Sequence, residues 1–170
     1  MVLLTPKVRA LVLAVALSPA TAFAYEDQLA VGLDVGYAQV AGASGGAGLG
    51  AGPHAKIGLD DTWNLYAAGL YAYHPGDALH VGTLAGGIEY VFDVLRWIPY
   101  GGLGPEVVWA AREGESGAEA GLQASLGLDY LAARGHSFGI VARWHAVLSD
   151  LGRFPVYVTV ALRGSLLWDL

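Results

Sequence analysis

From Phe138 to Leu148 the chain reads FGIVARWHAVL, with Phe138, Ile140, Ala142, Trp144, Ala146 and Leu148 apolar at every second position and Arg143 and His145 between them. A period of two sends these two sets to opposite faces of a β-strand. The same alternation returns in QLAVGLDVGYAQV, in residues 48–59, and in WNLYAAGLYAY, HVGTLAGGIEYVF, YGGLGPEVVWA, AGLQASLGLDYL and PVYVTVALRGSLLWDL. That makes eight segments. Clusters of turn-forming residues punctuate them, among them AGASGG, Asp60-Asp61, HPGDA, REGESG, AARGHS and SDLGRF. With no helical periodicity in between, the chain is predicted to be an all-β meander.

The first 24 residues follow another rule. Lys7 and Arg9 precede an apolar run from Ala10 to Leu17, and Ala22-Phe23-Ala24 forms a small-x-small cleavage site. This is the pattern of a cleaved secretory signal peptide, residues 1–24, and its apolar run is too short for a membrane-spanning helix. Residues 25–170 are then expected to form one domain. They keep seven basic residues against all fifteen acidic ones. No basic patch exists to neutralise phosphates, so a nucleic-acid partner is excluded. There is no cysteine, so an exported chain of this size must draw its stability from a continuous backbone hydrogen-bond scaffold.

Only 14 % of the residues are charged, against roughly 25 % in an average soluble domain. An exported, apolar β-meander with no segment of helix-spanning length points to a transmembrane barrel, and eight is the smallest even strand number such barrels use. With the amino terminus in the periplasm, loops near Gly45, Pro75, Glu115 and Gly152 are expected outside the cell. Turns near Asp60, Arg96 and Gly135 are expected in the periplasm.

Parity sorts the strand residues into two faces. One carries Leu33, Ile57, Leu65, Ile88, Val107, Leu126, Ile140 and Val160, with Trp63, Tyr90, Trp109, Tyr130 and Trp168 near strand ends. The other carries Gly32, Gly36, Gly58, Ala68, Gly87, Gly102, Gly104, Gly127 and Gly139. A soluble ligand-binding barrel in the periplasm would put the bulky face inside; a membrane barrel inverts this. The interior of eight strands has little room, so the glycine face is predicted to line the lumen and the bulky face to meet lipid. The aromatic residues near strand ends then fall where interfacial girdles form.

The inward face also carries Asp34, Lys56, Glu89, Glu106, Asp129, Arg143, His145 and Arg163. Buried charge is costly unless paired, so these residues are expected to form a luminal network that holds the barrel together. Strands one and eight must meet for closure, which makes Asp34 and Arg163 a plausible pair. For Arg143 the favoured partners are Glu106 and Asp129 on the two preceding strands.

IPYGGLGPE (Ile98 to Glu106) and GLQASLGLDYL resemble the small outer-membrane β-barrel family of OmpA- and OmpX-type proteins. The resemblance implies a barrel fold and no reaction. It also implies outer-membrane lipid and lipopolysaccharide as surroundings, the barrel-assembly machinery as a partner, and a monomer. Barrels of this family commonly end in Phe or Trp; this chain ends in Leu170, with Trp168 two positions earlier. No cofactor or metal site is expected. GAGLGAG (Gly46 to Gly52) lacks the helix a dinucleotide loop requires. Among the histidines, His54 and His145 are placed in the lumen, and His74 and His80 flank one extracellular turn. A lipid A-modifying barrel enzyme sets His and Ser two apart on a lipid-facing strand; here Ser149 follows His145 by four, and His145 points inward.

The facing makes a first test. Trp144→Arg is expected to cost roughly 2–4 kcal/mol of folding free energy, because it places a guanidinium in the lipid-facing band. Ala142→Ser should be nearly silent. Equal stability of the two variants in bilayer refolding would reverse the assignment of faces.

Overall fold

The computed structural model describes residues 27–41, 46–92, 96–148 and 156–170. The expected signal peptide lies outside the described residues, as do Gly45, Ser149 and Gly152. Eight strands follow in order: β1 (Gln28–Ala41), β2 (Gly48–Gly58), β3 (Trp63–His74), β4 (Leu79–Val91), β5 (Trp97–Arg112), β6 (Glu115–Ala133), β7 (His136–Val147) and β8 (Val156–Asp169). Each pairs antiparallel with its neighbour, and β1 pairs with β8 from Gln28↔Asp169 to Ala41↔Val156, which closes the ring. The architecture is a closed, up-and-down, antiparallel β-barrel. We call the end that holds Gln28 and Asp169 proximal and the other distal.

Local chemistry sets the turns. At the proximal end Asp60 Oδ1 accepts from the backbone N–H groups of Thr62 and Trp63, both at 2.7 Å, which turns β2 into β3. At the distal end β5 and β6 run on until Arg112 faces Glu115, leaving Glu113 and Gly114 as a two-residue turn with φ of 40° and 86°. Two successive positive φ angles are the signature of a hairpin turn that follows strand twist, and glycine takes the second without strain. The loop expected at REGESG is therefore shorter than its composition suggests. Glu115, Ser116 and Gly117 are paired strand residues, because antiparallel pairing satisfies their backbone whether or not the side chains are apolar.

Burial alternates along the barrel wall, as β3 shows from Trp63 to His74, whereas the distal start of β6, Glu115 to Ala118, is exposed throughout. The outward set forms a continuous apolar surface: Leu33, Val35, Leu65, Leu84, Ile88, Leu103, Val107, Leu126, Ile140 and Leu162 are all exposed. The inward set is small where the walls are close. A Cβ on Gly87 would stand 2.3 Å from the Leu103 carbonyl oxygen, and one on Gly104 would stand 2.1 Å from that of Gly86. Elsewhere glycine makes room for a ring: a Cβ on Gly127 would lie 2.1 Å from Tyr100 Cζ, and one on Gly48 would lie 2.7 Å from the His74 imidazole.

The lumen is filled in layers. Its distal part holds an apolar cluster of Ala38, Val40, Leu70, Ala72, Leu79, Val81, Val108, Val147 and Tyr157. A second cluster, with Val91, Ile98, Tyr100, Leu131, Val141 and Ala161, lies toward the proximal side. The charged residues sit among and between these layers.

Adjacent glycines on opposite faces give a direct measure of wall packing. Gly87→Ala is expected to destabilise the barrel by about 1–3 kcal/mol, the usual cost of overpacking. Gly86→Ala points outward and meets nothing nearer than the Tyr66 carbonyl oxygen at 3.5 Å, so it should be close to neutral. Urea titrations in detergent micelles would compare them; equal midpoints would contradict the inner-wall crowding.

Candidate functional site

Asp34, Lys56, Glu89, Glu106, Asp129, Arg143, His145 and Arg163 all have buried side chains. The structure gathers them into three groups. In the first, Asp34 lies opposite Arg163 in the β1–β8 register. Arg163 Nε donates to Asp34 Oδ1 at 2.9 Å, and Nη2 donates to Oδ2 at 3.1 Å. This fork-to-carboxylate geometry is the strongest form of such a pair. Arg143 Nη2 also donates to Asp34 Oδ2, and His54 Nδ1 lies 3.1 Å from Oδ1. One carboxylate thus ties β1, β2, β7 and β8 together.

The partner of Arg143 is therefore Asp34, not Glu106 or Asp129. The expectation failed because it counted neighbouring strands only, whereas the long guanidinium side chain reaches past β8 across a narrow lumen. Asp129 and Glu106 go elsewhere. Lys56 Nζ lies 2.6 Å from Glu89 Oε1 and 3.6 Å from Asp129 Oδ2, joining β2, β4 and β6. The same ammonium stands 3.7 Å above the centre of the Tyr100 ring, a cation–π contact in a desolvated setting. Tyr100 links this group to the first, since its hydroxyl accepts from Arg163 Nη1 at 2.7 Å.

The third group lies toward the distal end. His145 Nδ1 is 2.7 Å from Glu106 Oε2, and its Nε2 is 3.2 Å from Thr159 Oγ1. The Tyr157 ring packs beside His145 at 5.3 Å, and the Tyr157 hydroxyl is 3.3 Å from His74 Nε2. His74 is fully buried and belongs to the lumen. His74 and His80 flank the β3–β4 turn as expected, but His74 joins His54 and His145 in the lumen, where the sequence reading had not placed it. His74 ends β3 facing inward, whereas His80 faces outward, where its Nδ1 lies 2.6 Å from the Tyr71 hydroxyl. Among the described residues no group of His, Asp and Glu is arranged to hold a metal ion.

Tyr100, His54, His74, Thr159 and Ser165 were not singled out as members of this network. Parity alone had the signal for Tyr100, which shares its face with Gly102, Gly104 and Glu106. The contacts depend on which residues stand level around the barrel, and parity carries no such information.

Two hydroxyl–imidazole–carboxylate series occur here. One is Thr159–His145–Glu106. In the other, Ser165 Oγ is 2.9 Å from His54 Nε2, with Asp34 beyond. The order is that of a nucleophile relay, but the surroundings do not fit acyl transfer. Asp34 is held by two guanidinium groups, and Ser165 opens on a cavity of about 40 Å³ lined by Lys56, Asn64, Glu89, Asp129 and Ser137. That volume admits a few water molecules and no organic substrate. A second luminal cavity of about 10 Å³, beside His54, Tyr66 and Arg143, is smaller still. The arrangement is that of a cross-brace.

Outside, aromatic residues gather at two levels. Trp63, Tyr90, Phe92, Trp97, Tyr130 and Trp168 ring the proximal end, with Trp63 edge-on to Tyr90 at 5.0 Å and Trp97 against Tyr130 at 4.8 Å. Tyr37, Tyr71, Tyr73 and Trp109 lie toward the distal end. Trp63 and Tyr71 on β3 are eight residues apart, about 27 Å along the strand and about 20 Å along a membrane normal for a strand tilted near 45°.

A closed eight-stranded meander with its charges inside and an apolar belt outside has the fold of the small outer-membrane barrels. Among solved structures it is similar to Neisserial surface protein A, at 14 % identity over 84 % of this chain and 96 % of that one, with a TM-score of 0.63. It is also similar to the N-terminal β-barrel domain of Pseudomonas aeruginosa OprF, at 13 % identity over 84 % and 98 %, with a TM-score of 0.61. A third is Ail, the attachment invasion locus protein of Yersinia pestis, at 14 % identity over 84 % and 99 %, with a TM-score of 0.57; Ail has also been solved with the heparin analogue sucrose octasulfate. No protein-family model matches the chain, and no curated protein matches it.

The Asp34 clamp gives a quantitative test. Asp34→Asn and Arg143→Met are expected to couple by more than about 1 kcal/mol in a double-mutant cycle. Arg143→Met with Glu106→Gln should couple by less. Strict additivity of the first pair in bilayer or micelle unfolding would remove the clamp.

Proposed function

We infer that this chain is an integral outer-membrane β-barrel with a structural or interaction role, and that its filled lumen gives no passage to solutes. The observation that carries the reading is the inversion of polarity: the bulky apolar face is exposed on every strand, while Asp34, Lys56, Glu89, Glu106, Asp129, Arg143 and Arg163 in the strand interiors are buried and the exposed strand charges Arg112, Glu115 and Asp169 lie at strand ends. A soluble barrel with that surface would expose an apolar area far beyond what monomers tolerate in water. The runner-up, a soluble periplasmic ligand-binding barrel, also lacks a luminal cavity of ligand size among the described residues.

In this reading the proximal end faces the periplasm and the distal end the cell exterior. Export would proceed through the cleaved signal at residues 1–24, and insertion through the barrel-assembly machinery, with Trp168 near the C-terminus as an aromatic recognition element. The chain would stand as a monomer in outer-membrane lipid and lipopolysaccharide, without a catalytic role. The short described distal turns favour a scaffold over an adhesin. A polyanion finds little there, since Arg112 is tied to Asp77 at 2.7 Å and Glu113, Glu115 and Glu119 surround it in sequence.

Cell fractionation with heat-modifiable gel mobility tests the reading. The protein should require detergent for extraction and migrate differently when unboiled. In planar bilayers it should show no large conductance steps. A protein that stays in the aqueous fraction and keeps one mobility would overturn the membrane assignment, and a large stable conductance would overturn the closed lumen.

A further inference from the structure

Among the described residues, six of the eight ladders run without a gap through the middle of the wall. Two do not, and both border the β3–β4 pair. The β2–β3 ladder holds from Leu49↔Tyr73 to Ala51↔Tyr71, lapses, and resumes at His54↔Ala68. The β4–β5 ladder holds from His80↔Ala111 to Ala85↔Glu106, lapses, and resumes at Ile88↔Leu103. Counting through each gap sets Pro53 opposite Gly69 and Pro105 opposite Gly86. Proline has no N–H for the facing strand, so both glycine carbonyls lose their ladder donor. Each proline follows a glycine, and the facing carbonyl tilts onto that glycine. A Cβ on Gly52 would fall on the Gly69 oxygen, and one on Gly104 on the Gly86 oxygen. The wall thus carries the same break, Gly-Pro against Gly, twice.

Between the two breaks the β3–β4 ladder is continuous from Trp63↔Tyr90 to His74↔Leu79. Gly69 faces Leu84 in it and Gly86 faces Ala67, so the breaks lie two residues apart, about 7 Å, along one ribbon. Distal to them, the stretch from Leu70 to Ala85 is held to β2 by three register pairs. It supplies Leu70, Ala72, Leu79 and Val81 to the distal apolar cluster. Its tip is fastened across the same seam by two residues. Asp77 Oδ2 accepts from the Gly46 N–H at 3.0 Å, and His74 Nδ1 lies 2.8 Å from the Gly46 carbonyl oxygen. Arg112 of β5 holds Asp77 in place, with Nη2 2.7 Å from Oδ1 and Nε donating to the Asp77 carbonyl at 2.9 Å. Ala78, next in the turn, stands at φ 48°, a left-handed conformation costly for alanine. The turn is under strain while these contacts hold it.

We propose that Leu70 to Ala85 is a hinged flap over the distal lumen. It parts from β2 along Leu49 to Ala51, pivots at Gly69 and Gly86 opposite the two prolines, and is latched shut by Asp77 and His74 on Gly46. Proximal to the Pro53 gap the seam is paired again from His54↔Ala68 to Gly58↔Asn64, so the parting stops there. On the other side the Pro105 gap lets β4 bend while its distal pairs to β5 hold. An opened flap lifts Leu70, Ala72, Leu79 and Val81 away from Ala38, Val40, Val108, Val147 and Tyr157, which uncovers the distal cluster. The Lys56–Glu89–Asp129 brace lies on the proximal side of the breaks and stays intact. The motion opens a mouth and not a channel.

The test is amide hydrogen exchange read by NMR on the folded protein in detergent micelles. Leu49↔Tyr73 and Ala51↔Tyr71 share the parity of Pro53↔Gly69, so the amides of Leu49, Ala51, Tyr71 and Tyr73 bond across the β2–β3 seam. Those of Leu70, Ala72, Val81 and Thr83 bond within the ribbon. The seam amides should exchange about tenfold faster than the ribbon amides, although the two sets alternate along β3. Equal rates would overturn the flap. Pro53→Ala returns an N–H to Gly69 from an outward position and should slow the seam amides about fivefold. Pro105→Ala, at the other break, should slow the same amides about threefold. A local defect would leave them unmoved by Pro105→Ala, and that result would overturn the hinge. Asp77→Ala should speed the seam amides about tenfold, and Arg112→Gln, at a half-exposed side chain, about threefold. Neither should alter amides of the unbroken β1–β8 ladder. Unchanged seam exchange in both latch variants would overturn the latch.

Discussion

Closure between β1 and β8 is the constraint on which the rest of this structure depends. A sheet of eight strands has two edges, and each edge would leave a row of unpaired N–H and C=O groups. In lipid those groups have no water to turn to, so the ring must close. Antiparallel closure from Gln28↔Asp169 to Ala41↔Val156 removes both edges at once. It also fixes the diameter. From the diameter follow the inward glycines, the packing of His74 on Gly48 and of Tyr100 on Gly127, and, among the described residues, luminal cavities no larger than about 40 Å³.

A narrow lumen explains the arrangement of its charges. Each ion placed there loses most of its hydration, and the loss is offset only if every carboxylate and cation finds close partners. Asp34 satisfies this with two arginines and a histidine, Lys56 with two carboxylates and the face of Tyr100, and Glu106 with His145. These pairs link strands that do not adjoin in the sheet: β2 to β4 and β6, β5 to β7, β1 to β7. Backbone hydrogen bonds hold neighbours together; the luminal ion pairs brace the ring across its width. The distal apolar cluster closes that part of the lumen by packing, with no charge to draw water through.

The outer face obeys a different economy. Lipid asks only that it be apolar, with amphipathic rings where hydrocarbon gives way to headgroups. Size is therefore free to vary along the belt, and Gly69, Gly86, Gly101 and Ala124 stand among its leucines and isoleucines. On the inner face a glycine is demanded by crowding; at Gly101 it is not, since a side chain would meet only the tip of Leu126.

The alternation by itself determined the strand number, the meander order, the face each residue occupies and the closed-barrel class, because a period of two admits one partition and a ring of eight admits one choice of inside. It also placed Asp34 beside Arg163, since closure aligns the two chain ends. It did not determine which luminal charges meet. Arg143 reaching Asp34, Lys56 bridging Glu89 and Asp129, and the Tyr157 hydroxyl meeting His74 all depend on the stagger between successive strands and on side-chain reach across the lumen. The extent of the Arg112–Glu115 hairpin was hidden for a related reason: polar residues pair their backbones as readily as apolar ones.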